Sequence, residues 1–420
     1  MASFVVKGNR PLLGTIRASA NKNAILPIMA ACLLTEDECV LENVPKIGDV
    51  LVLGQLIKNL GVKVDGLGTD NLRLKADKLA SFDLDPYLVA KLRASILLMG
   101  PLLSRLGKAR MRHPGGCLIG RRAVGTHFEA LSAFGAKIVT SEENYEAEIK
   151  NPQAAQVFLD ETSVTATENA LLLASRIPDK TIIDNAAGEP HVQDLCRMLV
   201  KMGVKIEGEG TNRLTVWGRK KLSGVKHRVS PDYIEVGTFA IAAALTGGKL
   251  KIEEAVEEDL KMILLYLERM GVRSKFVGKT TLEVWSEKLT TTSSKVHTAP
   301  WPGFPTDFMS PFIVLATQAK GMTLCHDWMF ESRMFFVDKL ITMGANIVLC
   351  DPHRVLVTGP TQLIGKDLST PDIRAGIALL LAALCAKGES RIDNIEIIER
   401  GFEEIDTRLN RLGAQIERVE

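Results

Sequence analysis

Six glycines, Gly61, Gly135, Gly203, Gly271, Gly344 and Gly413, stand in one shared local context, 74, 68, 68, 73 and 69 residues apart. Each follows a bulky apolar residue (Leu60, Phe134, Met202, Met270, Met343, Leu412) and precedes a small apolar residue, a polar one and usually a β-branched one. A helix that turns straight into a strand needs glycine there, because only glycine enters the left-handed region without a Cβ penalty. Six copies at a near-constant period predict one supersecondary unit used six times.

Each unit holds two helix candidates. One ends at the repeat glycine and is amphipathic, as in residues 194–202, where Leu195, Met198, Leu199 and Met202 fall on one face. The other is apolar nearly all round and must be buried on every side. Its six copies span 23–34, 91–106, 168–175, 234–245, 308–318 and 373–386. Strands such as 181–184 and 249–252 separate the helices. A length of 420 residues exceeds one ordinary core. The expected fold is therefore α/β: two domains of three units each, an inside-out α/β barrel with helices buried and sheets and further helices outside. The expected first domain is 21–228 and the second is 1–20 plus 229–420, with a hinge near 20 and 228 and a ligand cleft between the halves.

Charge is balanced, 52 basic against 50 acidic residues, so composition indicates no nucleic-acid surface. Seven scattered cysteines without a CxxC pair predict neither a disulfide framework nor a metal site, and point to a reducing, cytoplasmic setting. No apolar run approaches the roughly 18–20 residues of a membrane span, and the first residues lack the apolar h-region expected of a signal peptide. A monomer or weak oligomer is expected.

Polar residues collect at the N-terminal ends of the buried helices: Lys22 and Asn23; Lys91 and Arg93; Thr167, Glu168 and Asn169; Asp232 and Glu235; Thr306 and Asp307; Asp372 and Arg374. The acids and threonines have an ordinary reading as helix caps. Lys22, Arg93 and Arg374 do not, because a cation opposes the helix dipole at that end. Those three argue for a bound anion.

A second cluster is the glycine-rich loop 113–122, His-Pro-Gly-Gly-Cys-Leu-Ile-Gly-Arg-Arg. Cys117 lies between glycines with Arg121 and Arg122 nearby, and neighbouring cations lower a thiol pKa from about 8.5. Such a residue serves as nucleophile or acid; the alternative is an incidental loop cysteine. The other six cysteines read as packing residues. His127, His191 and His326 fall near helix starts or loops on the same side, whereas His227, His297 and His353 read as surface or loop residues. No Ser-His-Asp grouping, P-loop or dinucleotide fingerprint occurs, and no cofactor is required.

Taken jointly, Lys22-Asn23-Ala24, Arg93-Ala94-Ser95, Gly115-Gly116-Cys117, Thr167-Glu168-Asn169, Asn185-Ala186-Ala187 with Glu189-Pro190, Gly303-Phe304-Pro305-Thr306-Asp307, Phe330-Glu331 with Arg333, Asp372 with Arg374-Ala375, and Arg400-Gly401 resemble the enolpyruvyl transferase family, in its UDP-N-acetylglucosamine branch. The resemblance runs from about residue 6 to the C-terminus. It implies transfer from phosphoenolpyruvate to the sugar 3′-hydroxyl, the first committed step of peptidoglycan synthesis, through a tetrahedral intermediate that expels phosphate. By that likeness Lys22, Arg122 and Arg400 hold the anionic donor, with Arg93, Arg333 and Arg374 in support. Asp307 takes the hydroxyl proton. Cys117 is the proton donor, the partner in a covalent adduct and the fosfomycin target. Asn23, Glu189, Asp232, Glu235, Met329 and Asp372 are further binding residues. The implied partners are these two small molecules, with no metal.

Departures fall where the family holds its nucleotide. Arg122 is followed by Ala123-Val124-Gly125-Thr126 where the family runs Pro-Val-Asp. Glu161 stands in place of a usual lysine, and Ser163-Val164 continues with Thr165 in place of glycine. An acceptor with another nucleotide, a shikimate-type acceptor and a non-catalytic binding paralogue therefore remain open.

Overall fold

All six repeat glycines adopt positive φ, between 84° and 107°, and a strand starts one to three residues after each. A computed structural model of the chain describes residues 2–115 and 124–420. Among the described residues the strands form six sheets, five of four strands and one of three. Every four-stranded sheet has antiparallel neighbours plus one outer strand parallel to the next. These parallel pairs are Lys226–Arg228 with Glu38–Glu42, Gln156–Phe158 with Lys180–Asp184, Leu13–Arg17 with Lys249–Glu253, Lys295–His297 with Gly321–His326, and Asp367–Ser369 with Glu389–Asp393. In the three-stranded sheet a lone parallel bridge, Asp83 to Arg110, takes that place.

The chain divides into two compact bodies. One takes residues 20–115 and 124–230, the other 2–19 and 231–420. In the first body, helices Lys22–Ala31, Met99–Leu106 and Val164–Ala174 form the centre of one hydrophobic core. Every residue from Ala166 to Ala174 is buried: the apolar run Ala170–Ala174 lies in the core, and the polar Thr167, Glu168 and Asn169 are enclosed with it. The helix expected over 91–106 opens instead as a 3-10 turn, Arg93–Leu98, and becomes α-helical at Met99. Pro101 explains the break: proline is tolerated in the first turn of an α-helix, where its missing N–H has no intrahelical partner to lose.

In the second body, helices Tyr233–Leu245, Thr306–Gln318 and Ile373–Cys385 pack against one another within a second core. Residues 2–19 contribute two strands to different sheets of this body. Ser3–Lys7 pairs with Glu389–Asp393 and Ile416–Val419, while Leu13–Arg17 lies beside Lys249–Glu253. Among the described residues no helix is long and apolar enough to cross a membrane.

Three local expectations change. His227 is buried, not a surface residue: its ring lies 3.0 Å from Asp194, whose other oxygen accepts from the N–H and hydroxyl of Ser230. The His227 hydrogen bond and charge, helped by Ser230, hold the Asp194 carboxyl below its ordinary range against the opposing effect of burial. Cys350 is exposed on strand Asn346–Asp351, where the pairing register shifts between Leu349 and Asp351. His191 lies within helix Pro190–Lys201, and His326 ends a strand.

Candidate active site

In the first body, Asn21 caps helix Lys22–Ala31 through the N–H groups of Asn23 and Ala24. That places Lys22 in the first turn, where its charge opposes the dipole. The compensation is internal: Lys22 Nζ lies 3.0 Å from Oδ2 of Asp49, an acid in the first turn of helix Gly48–Asn59. Both side chains are largely buried, at 14% and 4% exposure. A cation here therefore does not by itself demand a bound anion. Asn23 is half-buried beside it.

Arg93 begins the 3-10 turn and faces Tyr145, whose hydroxyl pKa is raised by burial and pulled back by the Arg93 charge. Tyr145 also stacks on His113 at 4.4 Å and meets Phe128 edge-on at 4.8 Å. Val124 precedes helix Gly125–Ala133. A Cβ at Gly125 would meet nothing within 4 Å, so this position is open. The Thr126 hydroxyl donates to Asp160 at 2.6 Å, and Glu161 is exposed.

Ser163 caps helix Val164–Ala174, and the Thr165 hydroxyl meets His127 Nε2 at 3.0 Å. Asn169 takes the N–H of Gly100 on Oδ1 and donates through Nδ2 to Ile96 O and to His127 Nδ1. Its amide orientation makes His127 Nδ1 the acceptor, so Nε2–H donates to Thr165. Glu189 lies at the start of helix Pro190–Lys201. Beside it Glu168 is buried, and burial, reinforced by the Glu189 charge, pushes the Glu168 carboxyl well above its ordinary value.

In the second body, three helix mouths carry acids. Asp232 and Asp372 are helix caps, each accepting two backbone N–H groups. Burial pushes the Asp232 carboxyl up to about 6, with Arg374 working against that shift and Glu235 adding to it. Glu235, expected as a binding residue, is engaged by the fold itself. It accepts from Arg408 at 2.6 and 3.1 Å and from the Ser19 N–H at 2.6 Å.

Asp307 is the partly exposed member of this group, at 29%. Arg374 Nη2 donates to its Oδ2 at 2.7 Å and Arg333 Nη2 to its Oδ1 at 3.2 Å. Burial opposes the charge on Arg374, but Asp307 and then Asp232 outweigh it and leave its pKa above the ordinary arginine value. Arg333, 2% exposed, also lies 3.9 Å from both Asp327 and Asp372. As with Lys22, protein carboxylates already answer the cation at Arg374. Met329 follows this cluster, its N–H donating to Asp327. Arg400 is half-buried at the end of the short helix Glu396–Glu399.

The expected residues Cys117, Arg122 and Ala123 lie outside the described residues. Asp49 and Asp327 were not picked out from the sequence. Asp327 has a visible signal, an acid directly after the apolar strand Gly321–His326. Asp49 has a weaker one, an acid in the first turn of an amphipathic helix.

In the second body the partly exposed carboxylate of Asp307 is held by two charge-assisted hydrogen bonds in a fixed orientation. Such a carboxylate can orient a hydroxyl and take its proton. Among the described residues no group of three or more His, Cys, Asp or Glu side chains could hold a metal.

The family model of EPSP synthase (3-phosphoshikimate 1-carboxyvinyltransferase) matches residues 6–409. The chain is 46% identical over 423 residues to a UDP-N-acetylglucosamine 1-carboxyvinyltransferase of Treponema denticola, covering 99% of each. It is 48% identical over 422 residues to one of Bradyrhizobium diazoefficiens, covering 99% of this chain and 98% of that one. Among solved structures, the enolpyruvyl transferase NikO from Streptomyces tendae matches with a TM-score of 0.89 and 25% identity, over 100% of this chain and 99% of that one. EPSP synthase from Acinetobacter baumannii matches with a TM-score of 0.76 at 18% identity, over 100% of both chains, a likeness of fold.

Proposed function

The chain belongs to the UDP-N-acetylglucosamine 1-carboxyvinyltransferase family, and from that premise we propose that it transfers the enolpyruvyl group of phosphoenolpyruvate to the 3′-hydroxyl of UDP-N-acetylglucosamine, releasing phosphate. The observation that carries the reading is likeness along the whole chain, at 46% and 48% identity, to relatives bearing that name. The reaction opens peptidoglycan synthesis and takes place in the cytoplasm.

In this reading the sugar hydroxyl oxygen bonds to C2 of phosphoenolpyruvate while its proton passes to Asp307. The C2–C3 π pair takes a proton from Cys117 at C3, giving a tetrahedral intermediate. Loss of a C3 proton and departure of phosphate then restore the double bond on the product. The orientation of Asp307 between Arg333 and Arg374 supports its part. Lys22, Arg122 and Arg400 bind the donor's phosphate and carboxylate, with Arg93 alongside. Asn23, Glu189, Asp232, Asp372 and Met329 complete the substrate contacts, and the segments 124–126 and 163–165 hold the nucleotide.

We propose also that each domain, 21–228 and 1–20 plus 229–420, is a threefold repeat of one unit forming an inside-out barrel. The recurring parallel outer strand and the recurring positive-φ glycine support this reading.

A second reading, an acceptor built on another nucleotide, is favoured by three positions: the open Gly125, the exposed Glu161 and the Thr165 hydroxyl held by His127. Coupled phosphate release with phosphoenolpyruvate and a panel of acceptors separates the two. Release dependent on UDP-N-acetylglucosamine is expected; release with a different nucleotide and none with this sugar would favour the second.

A further inference from the structure

We propose that Asp327 is a positioning residue that sets the orientation and basicity of Asp307, an inference that rests on the carboxyvinyl-transfer reading above. Asp327 is fully buried, directly after strand Gly321–His326. Its main chain is locked on both sides by one residue: its N–H donates to the His353 carbonyl, and its carbonyl accepts from His353 Nδ1, both at 2.8 Å. Its carboxylate accepts from the hydroxyls of Thr298 (3.3 Å) and Thr306 (2.5 Å) and from the N–H of Met329 (3.0 Å). An ionised carboxylate this deep is costly unless hydrogen-bonded and matched by a cation. The matching cation is Arg333, whose Nε lies 3.9 Å from Asp327 Oδ2, an ion pair beyond hydrogen-bond distance.

Asp327 reaches Asp307 by two routes. Along the first, Arg333 sits with Asp327 at its Nε and donates through Nη2 to Asp307 Oδ1 at 3.2 Å. Arg333 has almost no solvent around it, at 2% exposure, so its fork stays where these carboxylates place it. Along the second, Thr306 is the residue before Asp307 and the first of helix Thr306–Gln318, and its hydroxyl is spent on Asp327. Pro305, at the cap position, gives no side-chain cap, and the Asp327 bond adds an anchor to this turn from the side. One buried carboxylate thus grips both the guanidinium that holds Asp307 and the backbone that carries it.

The electrostatic consequence has a definite sign. Asp307 faces Arg333 and Arg374; behind these stand Asp327, Asp372 and Asp232, with Glu235 beyond Asp232 and His353 against Asp327. Asp327 offsets part of the Arg333 charge. Remove it, and Asp307 faces a less compensated cation, holds a proton less tightly and becomes a weaker base.

The test is steady-state phosphate release by the full chain across pH, with phosphoenolpyruvate and UDP-N-acetylglucosamine, for wild type, Asp327→Asn, Asp327→Glu and Thr306→Val. In Asp327→Asn, kcat should fall on the order of tenfold or more while both KM values stay within about threefold. The acid limb of its kcat profile should move down by roughly half a pH unit or more. Asp327→Glu, which keeps the charge, should restore the limb. Thr306→Val, which keeps the charge and loses one anchor, should lower kcat several-fold with the limb unmoved, and it serves if the asparagine variant does not fold. Wild-type kcat in Thr306→Val, a limb that coincides in Asp327→Asn and wild type, or a KM rise at constant kcat would overturn the proposal. A wild-type chain that releases no phosphate from this pair sinks the functional reading instead.

Discussion

Arg374 and Asp307, 67 residues apart in sequence, meet in a charge-assisted hydrogen bond of 2.7 Å, Nη2 to Oδ2. The guanidinium is 7% exposed and the carboxylate 29%. A cation at a helix mouth is thereby explained by a neighbour on the next buried helix. Replacing it should be costly on two levels.

Arg374→Gln should destabilise the chain by about 2 kcal/mol, less than the roughly 3–5 kcal/mol of a fully buried pair, because Asp307 keeps solvent and Arg333. It should also lower kcat by at least about tenfold through the lost orientation of Asp307. Urea denaturation and steady-state kinetics check both; unchanged stability would mean the pair is idle.

The Lys22–Asp49 pair gives a separate test of anion binding. Asp49→Asn leaves a mostly buried ammonium without its carboxylate and should cost about 2–3 kcal/mol. If Lys22 also holds an anion, added phosphate should raise the melting midpoint of the variant more than that of wild type. Equal shifts would remove Lys22 from the anion site.

Asp232 makes stability depend on pH in a stated direction. Its carboxyl holds a proton more tightly folded, at about 6, than unfolded, at the ordinary 3.8. Its contribution is therefore complete below about pH 4 and lost as pH rises through about 6. Asp232→Asn can still cap the helix through its side-chain oxygen. Thermal midpoints across this range should fall less steeply in the variant; parallel curves would contradict the assignment.

Fosfomycin should inactivate the chain by modifying Cys117. Peptide mapping must tell this thiol from Cys350, which is exposed. Inactivation that survives Cys117→Ser, or label found on Cys350 in the inactivated protein, would move the reactive thiol elsewhere.

What could be read from sequence was local. The repeat glycines announce themselves because left-handed backbone is a property of a single residue, and all six have it. The caps Asp232 and Asp372 are legible for the same reason. Partners brought together by packing are not. Nothing in the chain order links Lys22 to Asp49, Arg408 to Glu235 across 173 residues, or Asp327 to Asp307 through Arg333. Hence the cations at the helix mouths pointed to a ligand when, for two of them, the first answer is a protein carboxylate. His227 was within reach: in Lys226-His227-Arg228 strand alternation sets the histidine alone on the inner face. The roles of Cys117 and Arg122 rest on family resemblance.

The most direct measurement incubates the chain with phosphoenolpyruvate and UDP-N-acetylglucosamine and follows phosphate and the nucleotide sugar together, the latter by mass. One phosphate released for each nucleotide sugar that gains an enolpyruvyl group is the expected result. Phosphate released without that gain, or the gain appearing on a different acceptor while this sugar stays unmodified, would contradict the account.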